Sequence, residues 1–325
     1  MARCAFIIGG TGQIGIAAAA ELLRAGWSVT CSHTGRREPQ NVPAGASLAV
    51  VKRQDTAALA NAIGNVDLLI DTMAFSGKDA DQLAGLSGQY AQLCVISTGS
   101  VYADAEGRSL DGGAPEYPVP ILETQRLLPP GPESYSTAKV ELELRLLETI
   151  KPLTILRPGA IHGINSKHPR EWWFVKRMLD GRKRVPIVYG DSTFHTSATA
   201  NIAALIRAAA DAPGTHVLNA GDPDPRTVRG IGETLAAQLG WTGEFVDMPP
   251  DSEVGQTPFS AANPIVVSMD AATALGYRPA GTYEQTIVPY LAWMKANASD
   301  WTAAFPMFSH YPSDPFDYTA EDAAL

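Results

Sequence analysis

The first half of the chain alternates short apolar runs with helical patterns. Apolar runs of strand length lie at 4–8 (CAFII), 28–32 (SVTCS), 47–51 (SLAVV), 67–71 (DLLID), 92–97 (QLCVIS) and 153–157 (LTILR). Helical patterns fill the intervals at 14–25, 56–63, 79–88 and 134–149. Strands alternating with helices predict a parallel sheet covered on both faces, and right-handed crossovers make it doubly wound. In GIAAAAELLRAG, strong helix formers present one apolar face, and Gly26 is the expected stop.

Beyond 157 the pattern becomes irregular. Helices are expected near 169–181, 198–212 and 228–239, with strands in VPIVYG and at 216–220. The Pro- and Gly-rich stretch 104–133 reads as a long loop, and such loops line ligand sites in doubly wound folds. The tail from about 300, with its FPMFSHYPSDPFDY run, does not read as regular structure. The expected architecture is α/β. A Rossmann-type domain spans 1–165, 197–221 returns to it, and 166–196 with 222–325 form a smaller substrate lobe.

Composition narrows the classes. A chain of 325 residues accommodates two domains. With 45% hydrophobic and 18% charged residues, it is not a chain disordered throughout. A net charge of -9 argues against a main role in gripping nucleic acid or an anionic membrane. Cys4, Cys31 and Cys94 lie in strand-like stretches and read as buried small hydrophobes. No CxxC or Cys/His cluster suggests a metal. The N-terminal apolar run, AFII, is too short for a signal peptide or membrane span, so a cytoplasmic location is expected.

Candidate chemistry begins at GGTGQIG. Gly9, Gly12 and Gly15 sit between a strand and a helix, where glycines let backbone N–H groups approach a pyrophosphate. NAD-preferring sites place an acid at the end of the second strand. This one ends in Cys31, Ser32 and His33 and continues to Arg36 and Arg37. Those guanidiniums suit a 2′-phosphate, so NADP is expected ahead of NAD; the other reading is a solvated loop pair. Asp55 either caps a helix or accepts a bond from an adenine amino group.

Tyr135 and Lys139, four apart in YSTAK, project from one helical face. An ammonium beside a phenol favours the phenolate and readies it for proton exchange with a hydroxyl or carbonyl. Ser97, Thr98 and Ser100 put hydroxyls at a strand's C-terminal end, where α/β sheets bind ligands; the alternative role for each is turn capping.

Together these residues resemble the extended short-chain dehydrogenase/reductase superfamily, its NAD-dependent epimerase/dehydratase family. The resemblance rests on GGTGQIG at 9–15, Asp55, ISTGSVYAD at 96–104, YSTAK at 135–139 and LRPGAIHG at 156–163, in order. It implies Tyr135 as general acid/base, Lys139 as its activator and ribose contact, and Thr98 as the third catalytic hydroxyl. It also implies cofactor contacts from Thr11, Gln13, Ile14 and the other residues of 9–15, and from Thr72, Met73 and Ala74. Relatives often dimerise through the YxxxK helix, which makes a homodimer the expected assembly. Two departures stand out. Ala160 occupies the place where sugar-nucleotide members often carry Asn, and DTMAFSG at 71–77 lacks the usual apolar-Ala-Ala form. The implied function is NAD(P)-dependent hydride transfer at a hydroxyl or carbonyl carbon of a small, anionic or sugar-like substrate. Ala160 favours a ketone or aldehyde reductase over a sugar-nucleotide epimerase. The competing reading is a non-catalytic dinucleotide-sensing or RNA-associated relative, and the presence of both Tyr135 and Lys139 counts against it.

The stretch 167–184, KHPREWWFVKRMLDGRKR, is basic in an acidic chain. It reads either as a contact for an anionic substrate, with Trp172 or Trp173 stacking on a ring, or as a surface helix with one apolar face. His162 and His195 follow strand-like segments. Each is a candidate substrate contact or proton carrier, or else a structural histidine.

Overall fold

The computed structural model describes residues 2–325. Six strands and four helices alternate through the first half: β1 (Cys4–Ile8), α1 (Gln13–Arg24), β2 (Ser28–His33), β3 (Ser47–Val50), α2 (Thr56–Ile63), β4 (Val66–Asp71), α3 (Gly77–Gly85), β5 (Tyr90–Ile96), α4 (Tyr135–Thr149) and β6 (Leu153–Pro158). Then follow β7 (Ala160–His162), α5 (Trp172–Leu179), β8 (Arg184–Ile187), β9 (Thr193–Phe194), β10 (Thr196–Ala198), α6 (Thr199–Asp211) and β11 (Thr215–Ala220). The last part holds β12 (Arg226–Thr227), α7 (Val228–Leu239), β13 (Glu244–Asp247), α8 (Asp270–Ala274), α9 (Tyr283–Ala296), α10 (Trp301–Ala304) and α11 (Tyr318–Ala324).

The main sheet runs β11-β6-β5-β4-β1-β2-β3, with every pair parallel. Strand order reverses at β1, between β4 and β2, and a crevice opens at that point beyond the strand C-termini. β6 is buried along its whole length, as an apolar strand covered on both faces must be. One sheet face packs α1 and α6 through residues such as Ala18, Leu22, Ile202 and Ile206. The other packs α2, α3 and α4 through Leu59, Leu83, Leu142 and Leu146.

A second core belongs to the smaller lobe. Trp172, Trp173 and Phe174 of α5 meet Ile231 of α7 and Ile287 of α9, with Phe305 and Phe308 closing over them. A smaller cluster of Tyr102, Tyr117, Ile121 and Val267 pins the 104–133 loop over the sheet edge.

Four expectations need correction. α9 is absent from the periodicity because Pro289 interrupts it and aromatic residues surround it, yet it runs over 14 residues. The tail is partly helical: Arg177, buried in α5, bonds the Glu321 carboxylate at 2.9 Å and draws α11 onto the lobe. Ala272 and Tyr277, placed with the lobe by sequence, pack instead into the core beside α1 and α6. Cys4 is only half-buried, because it begins an edge of β1 beside Asp67.

Candidate active site

The crevice at the switch point is a cleft of ≈ 980 Å³. Gly12, Gln13 and Ile14 line one wall, Thr72 and Met73 the next, and Thr98, Tyr135 and Lys139 lie across from them. Gly9 turns with φ +74°, and a Cβ there would meet Thr72 and Met73 at about 2.5 Å. A Cβ on Gly15 would strike the Gly10 backbone at 2.6 Å, so helix and turn approach this closely only without one. The N-terminus of α1 carries no side-chain cap and no acid in its first turn. Beside it, Gln13 Oε1 is buried with no partner. Free donors at a helix N-terminus, next to an unpaired amide oxygen, fit the pyrophosphate of a dinucleotide.

α4 begins at Tyr135 because Ser134 caps it: the Ser134 hydroxyl accepts from Thr137 N at 3.2 Å. Capping puts Tyr135 on the first turn at the cleft mouth, 46% exposed. Lys139, one turn on, is buried and donates to the carbonyls of Ala74 (2.6 Å) and Ile96 (2.8 Å). Its Nζ lies 5.7 Å from the Tyr135 ring centre. Burial pulls the Lys139 ammonium down to about 8, against the attraction of Asp71 and Glu143. Tyr135 departs from expectation. Burial raises its phenol above the usual range, although Thr98 and Arg170 draw it back. The lysine charge is spent on two backbone carbonyls, so it does not override desolvation, and Tyr135 is a phenol at neutral pH.

A buried ion pair holds α4 on the sheet. Arg157 of β6 bonds Glu143 of α4 at 2.5–3.2 Å and also reaches the Tyr102 hydroxyl and the Glu123 carbonyl. Arg157 thus ties β6 to α4, the helix that carries Tyr135 and Lys139.

The other anticipated residues separate into groups. Ser100 lines the cleft and lies 3.1 Å from the Thr98 hydroxyl. Ala74 is buried beneath the floor, its carbonyl occupied by Lys139, so it offers no side-chain contact. Thr11 is half-buried at the rim, where its carbonyl faces the Asn165 amide. Arg36 and Arg37 are exposed just beyond β2 and, among the described residues, pair with no acid. Asp55 caps α2, accepting from Ala58 N at 3.0 Å, outside the cleft.

Two substrate candidates are corrected, and a third, His195, stays at the cleft wall with its ring nitrogens engaged. Trp172 is 2% exposed and packs edge-on against Phe305, so it is lobe core and stacks on no ligand. His162 is buried outside the cleft, with Nε2 on the Asp222 carboxylate at 2.9 Å and its ring against Tyr283. His195 borders the cleft, but both ring nitrogens are engaged: Nε2 on the Asp222 carbonyl at 2.6 Å, Nδ1 accepting from Val267 N at 3.2 Å. Burial lowers its pKa, and its Nε2 proton is held by the Asp222 carbonyl.

The basic stretch divides. Lys176 pairs with Asp180, Arg177 with Glu321, Arg182 with Asp322 and Arg184 with Glu244, all on the lobe surface or within its core. Lys167, His168 and Arg170 turn into the cleft instead, and among the described residues neither Lys167 nor Arg170 has an acidic partner. Sequence reasoning missed Asp111 and Asn165, which the fold adds to the cleft, and Ser136, buried and bonded to Asp111. Ser136 sat inside the YSTAK motif as an unmarked position. Asp111 lies in a loop with no periodicity to signal its direction.

No family model and no curated protein matches the chain. Solved structures do. UDP-glucose 4-epimerase from Thermotoga maritima, determined with UDP-glucose, superposes at TM-score 0.70 with 18% identity, covering 91% of this chain and 99% of that one. The Bordetella bronchiseptica enzyme WbmG, in complex with NAD and UDP, gives 0.70 and 17% over 91% and 95%. Thermus thermophilus UDP-glucose 4-epimerase, in complex with NAD, gives 0.65 and 20% over 90% and 99%. This chain shares the fold of these epimerase structures. At these identities the likeness is one of architecture, and the seven-stranded sheet with its attached lobe is the shared part. No described helix is long and apolar enough to cross a membrane.

Proposed function

We propose that the chain is an NAD(P)-dependent oxidoreductase or epimerase of the extended short-chain dehydrogenase type. It acts on a hydroxyl or carbonyl carbon of a small substrate that carries an anionic group. The observation that carries this reading is the meeting of Tyr135, Lys139 and Thr98 in one cleft with the uncapped N-terminus of α1. When bound, the nicotinamide supplies or accepts the hydride. The chain's own residues do the rest. Thr98 orients the substrate oxygen, and Tyr135, a phenol at neutral pH, gives its proton to a carbonyl oxygen as charge develops there. Lys139 ties the phenol's helix to the segments that follow β4 and end β5, and would contact the ribose of a bound dinucleotide.

Lys167 and Arg170 support an anionic substrate, since unpaired cations in a cleft attract a phosphate or carboxylate. The fold's crystallised relatives with UDP-glucose or UDP make a nucleotide sugar one member of that class. Ala160, buried at the cleft wall, offers no amide to a sugar and favours a simpler keto or hydroxy compound. Exposed, unpaired Arg36 and Arg37 favour NADP over NAD. The free cysteines, with burial raising Cys31 to about 11 and Cys94 to about 12, suit a reducing cytoplasm.

The test is Tyr135→Phe, assayed across keto acids, hydroxy acids and nucleotide sugars with either dinucleotide. Turnover falls by about 10²–10⁴-fold while the melting temperature holds; unchanged turnover removes the assignment. In a thermal-shift comparison NADP stabilises more than NAD, and equal or greater stabilisation by NAD removes the role of Arg36 and Arg37.

A further inference from the structure

The C-terminal tail reaches back to the cleft. Residues 165–170, between β7 and α5, are held from two sides. On the sheet side, the Asn165 side-chain amide donates to the Gln40 carbonyl at 3.0 Å and accepts from the Asn41 amide at 2.7 Å. On the lobe side, Met307 N donates to the Lys167 carbonyl at 3.4 Å, and Phe305 packs edge-on against Trp172. Within the segment, His168 N donates to Ser166 Oγ at 3.3 Å. The Tyr311 hydroxyl lies 2.9 Å from His168 Nε2, and the Phe308 ring stands edge-on to the imidazole with centres 5.5 Å apart. A tail 143 residues away in sequence thus fixes this ring, which borders the cleft beside Lys167 and Arg170.

Proton counting assigns the tautomer. Burial and the neighbouring Arg170 guanidinium pull His168 down to about 4, so at neutral pH the ring carries one proton. Burial raises the Tyr311 phenol, which keeps its hydroxyl proton. Among the described residues, Nε2 is that hydroxyl's one partner. When Tyr311 donates, Nε2 is the acceptor and the ring proton sits on Nδ1. The reverse arrangement strands both the phenol proton and the Nδ1 lone pair, and a phenol is the stronger donor of the two. Nδ1 itself has no partner among the described residues and is not sealed from solvent.

We propose that His168 Nδ1–H donates a hydrogen bond to the anionic group of the substrate, and that Tyr311 of the tail is the positioning residue that keeps the proton on that nitrogen. The proposal rests on the reading of the cleft as a site for an anionic substrate, and it names how the anion is recognised. Lys167 and Arg170 attract any anion, because they act as charges at the end of long side chains. A neutral N–H on a ring clamped by the tail selects an oxygen lone pair at one place, as a phosphate or carboxylate supplies.

The experiment is a long-range ¹H–¹⁵N NMR measurement at neutral pH on histidine-labelled full-length protein saturated with dinucleotide. The His168 signals are assigned by their loss in His168→Asn. The shifts of the two ring nitrogens show which one carries the proton. Wild type has Nδ1 protonated. Tyr311→Phe removes only the hydroxyl, and the proton moves to Nε2, the form a free neutral imidazole favours. Sulfate, an anion with no proton of its own to donate, is the probe. It moves the His168 Nδ1 signal in wild type, and its Kd rises about 2–10-fold in Tyr311→Phe, the worth of one neutral hydrogen bond. In His168→Asn the side-chain N–H stands in for Nδ1–H without a tail partner, so sulfate binding is kept and adding Tyr311→Phe changes nothing further. A wild-type ring protonated on Nε2 overturns the proposal. So does equal sulfate affinity in wild type and Tyr311→Phe, which makes Tyr311 a clamp for the loop alone. If Tyr311→Phe fails to fold, His168→Leu decides: it loses about 10-fold in sulfate affinity where His168→Asn does not, and equal binding by the two overturns the donor. None of these measurements needs turnover. Failure of the active-site reading shows as an active Tyr135→Phe enzyme, and failure of this one as the other tautomer or an unmoved sulfate affinity.

Discussion

Two polar networks in the molecule are built to opposite ends. The cleft network of Thr98, Ser100, Ser136 and Asp111 consists of hydroxyls with rotatable protons and opens to water at one end. The network around Asp222 is closed. That carboxylate is wholly buried and accepts from His162 Nε2, Thr196 Oγ1, Ala198 N and Asn201 Nδ2 at 2.7–2.9 Å. Asn201 continues to the backbone at 280–281, and Asp224 receives Tyr283 N, so the hub fixes where α9 starts and how the lobe seats on the sheet. Donors are spent on a buried carboxylate in the hub, whereas the cleft hydroxyls end on an exposed one. Sequence reading took His162 for a cleft residue because it ends a strand, and the hub is where that strand end leads.

The comparison is broken most severely at its buried end. Asp222→Ala leaves four donors without an acceptor, and losing one partner of a buried charged network costs about 3–5 kcal/mol. Chemical denaturation should show that loss, and an unchanged midpoint would make the hub incidental. Arg157→Met tests the buried pair beneath α4. It strands Glu143 under α4, with a penalty of about 3 kcal/mol, and lowers turnover as Tyr135 loses its support; full activity at reduced stability would confine Arg157 to packing.

Arg170→Met sharpens the contrast from the open end. It leaves stability intact and raises KM for an anionic substrate by about 10–100-fold, the worth of one charge-assisted bond of 1.5–3 kcal/mol. An unchanged KM places the anion elsewhere. The smallest effect is a pH dependence. Burial opposes charge on His162, yet Asp222 outweighs it and raises the histidine's pKa. A histidine raised above its unfolded value of about 6.5 stabilises fully below that pH, and loses the contribution as pH rises through the folded value. The melting temperature of wild type relative to His162→Gln is therefore highest in mild acid and narrows toward alkaline pH. A pH-independent difference means the pair does not titrate in this range.

How legible the protein was depended on how local each determinant is. β1, β2, β4 and β6 match their apolar runs to within a residue or two, since a strand in a parallel sheet declares itself by burial on both faces. YSTAK forecast that Tyr135 and Lys139 share a helical face, because helical geometry alone requires it. It did not forecast the phenol's raised pKa, which follows from burial in a cleft that the fold assembles. Trp172 reads identically as ring-stacker or core in sequence, and only Phe305, 133 residues later, decides for core.

By itself, the sequence determined the doubly wound order, the phosphate-binding turn and the pairing of Tyr135 with Lys139. Each rests on spacing of a few residues, and backbone geometry converts such spacing directly into position. Tertiary structure decided which charges and hydroxyls face the cleft. It turned Arg170 inward and Arg177 to Glu321, closed His162 and His195 onto Asp222, and brought Asp111 to Ser136 across 25 positions. Those choices depend on desolvation and on partners far along the chain, and no local pattern of residues encodes either.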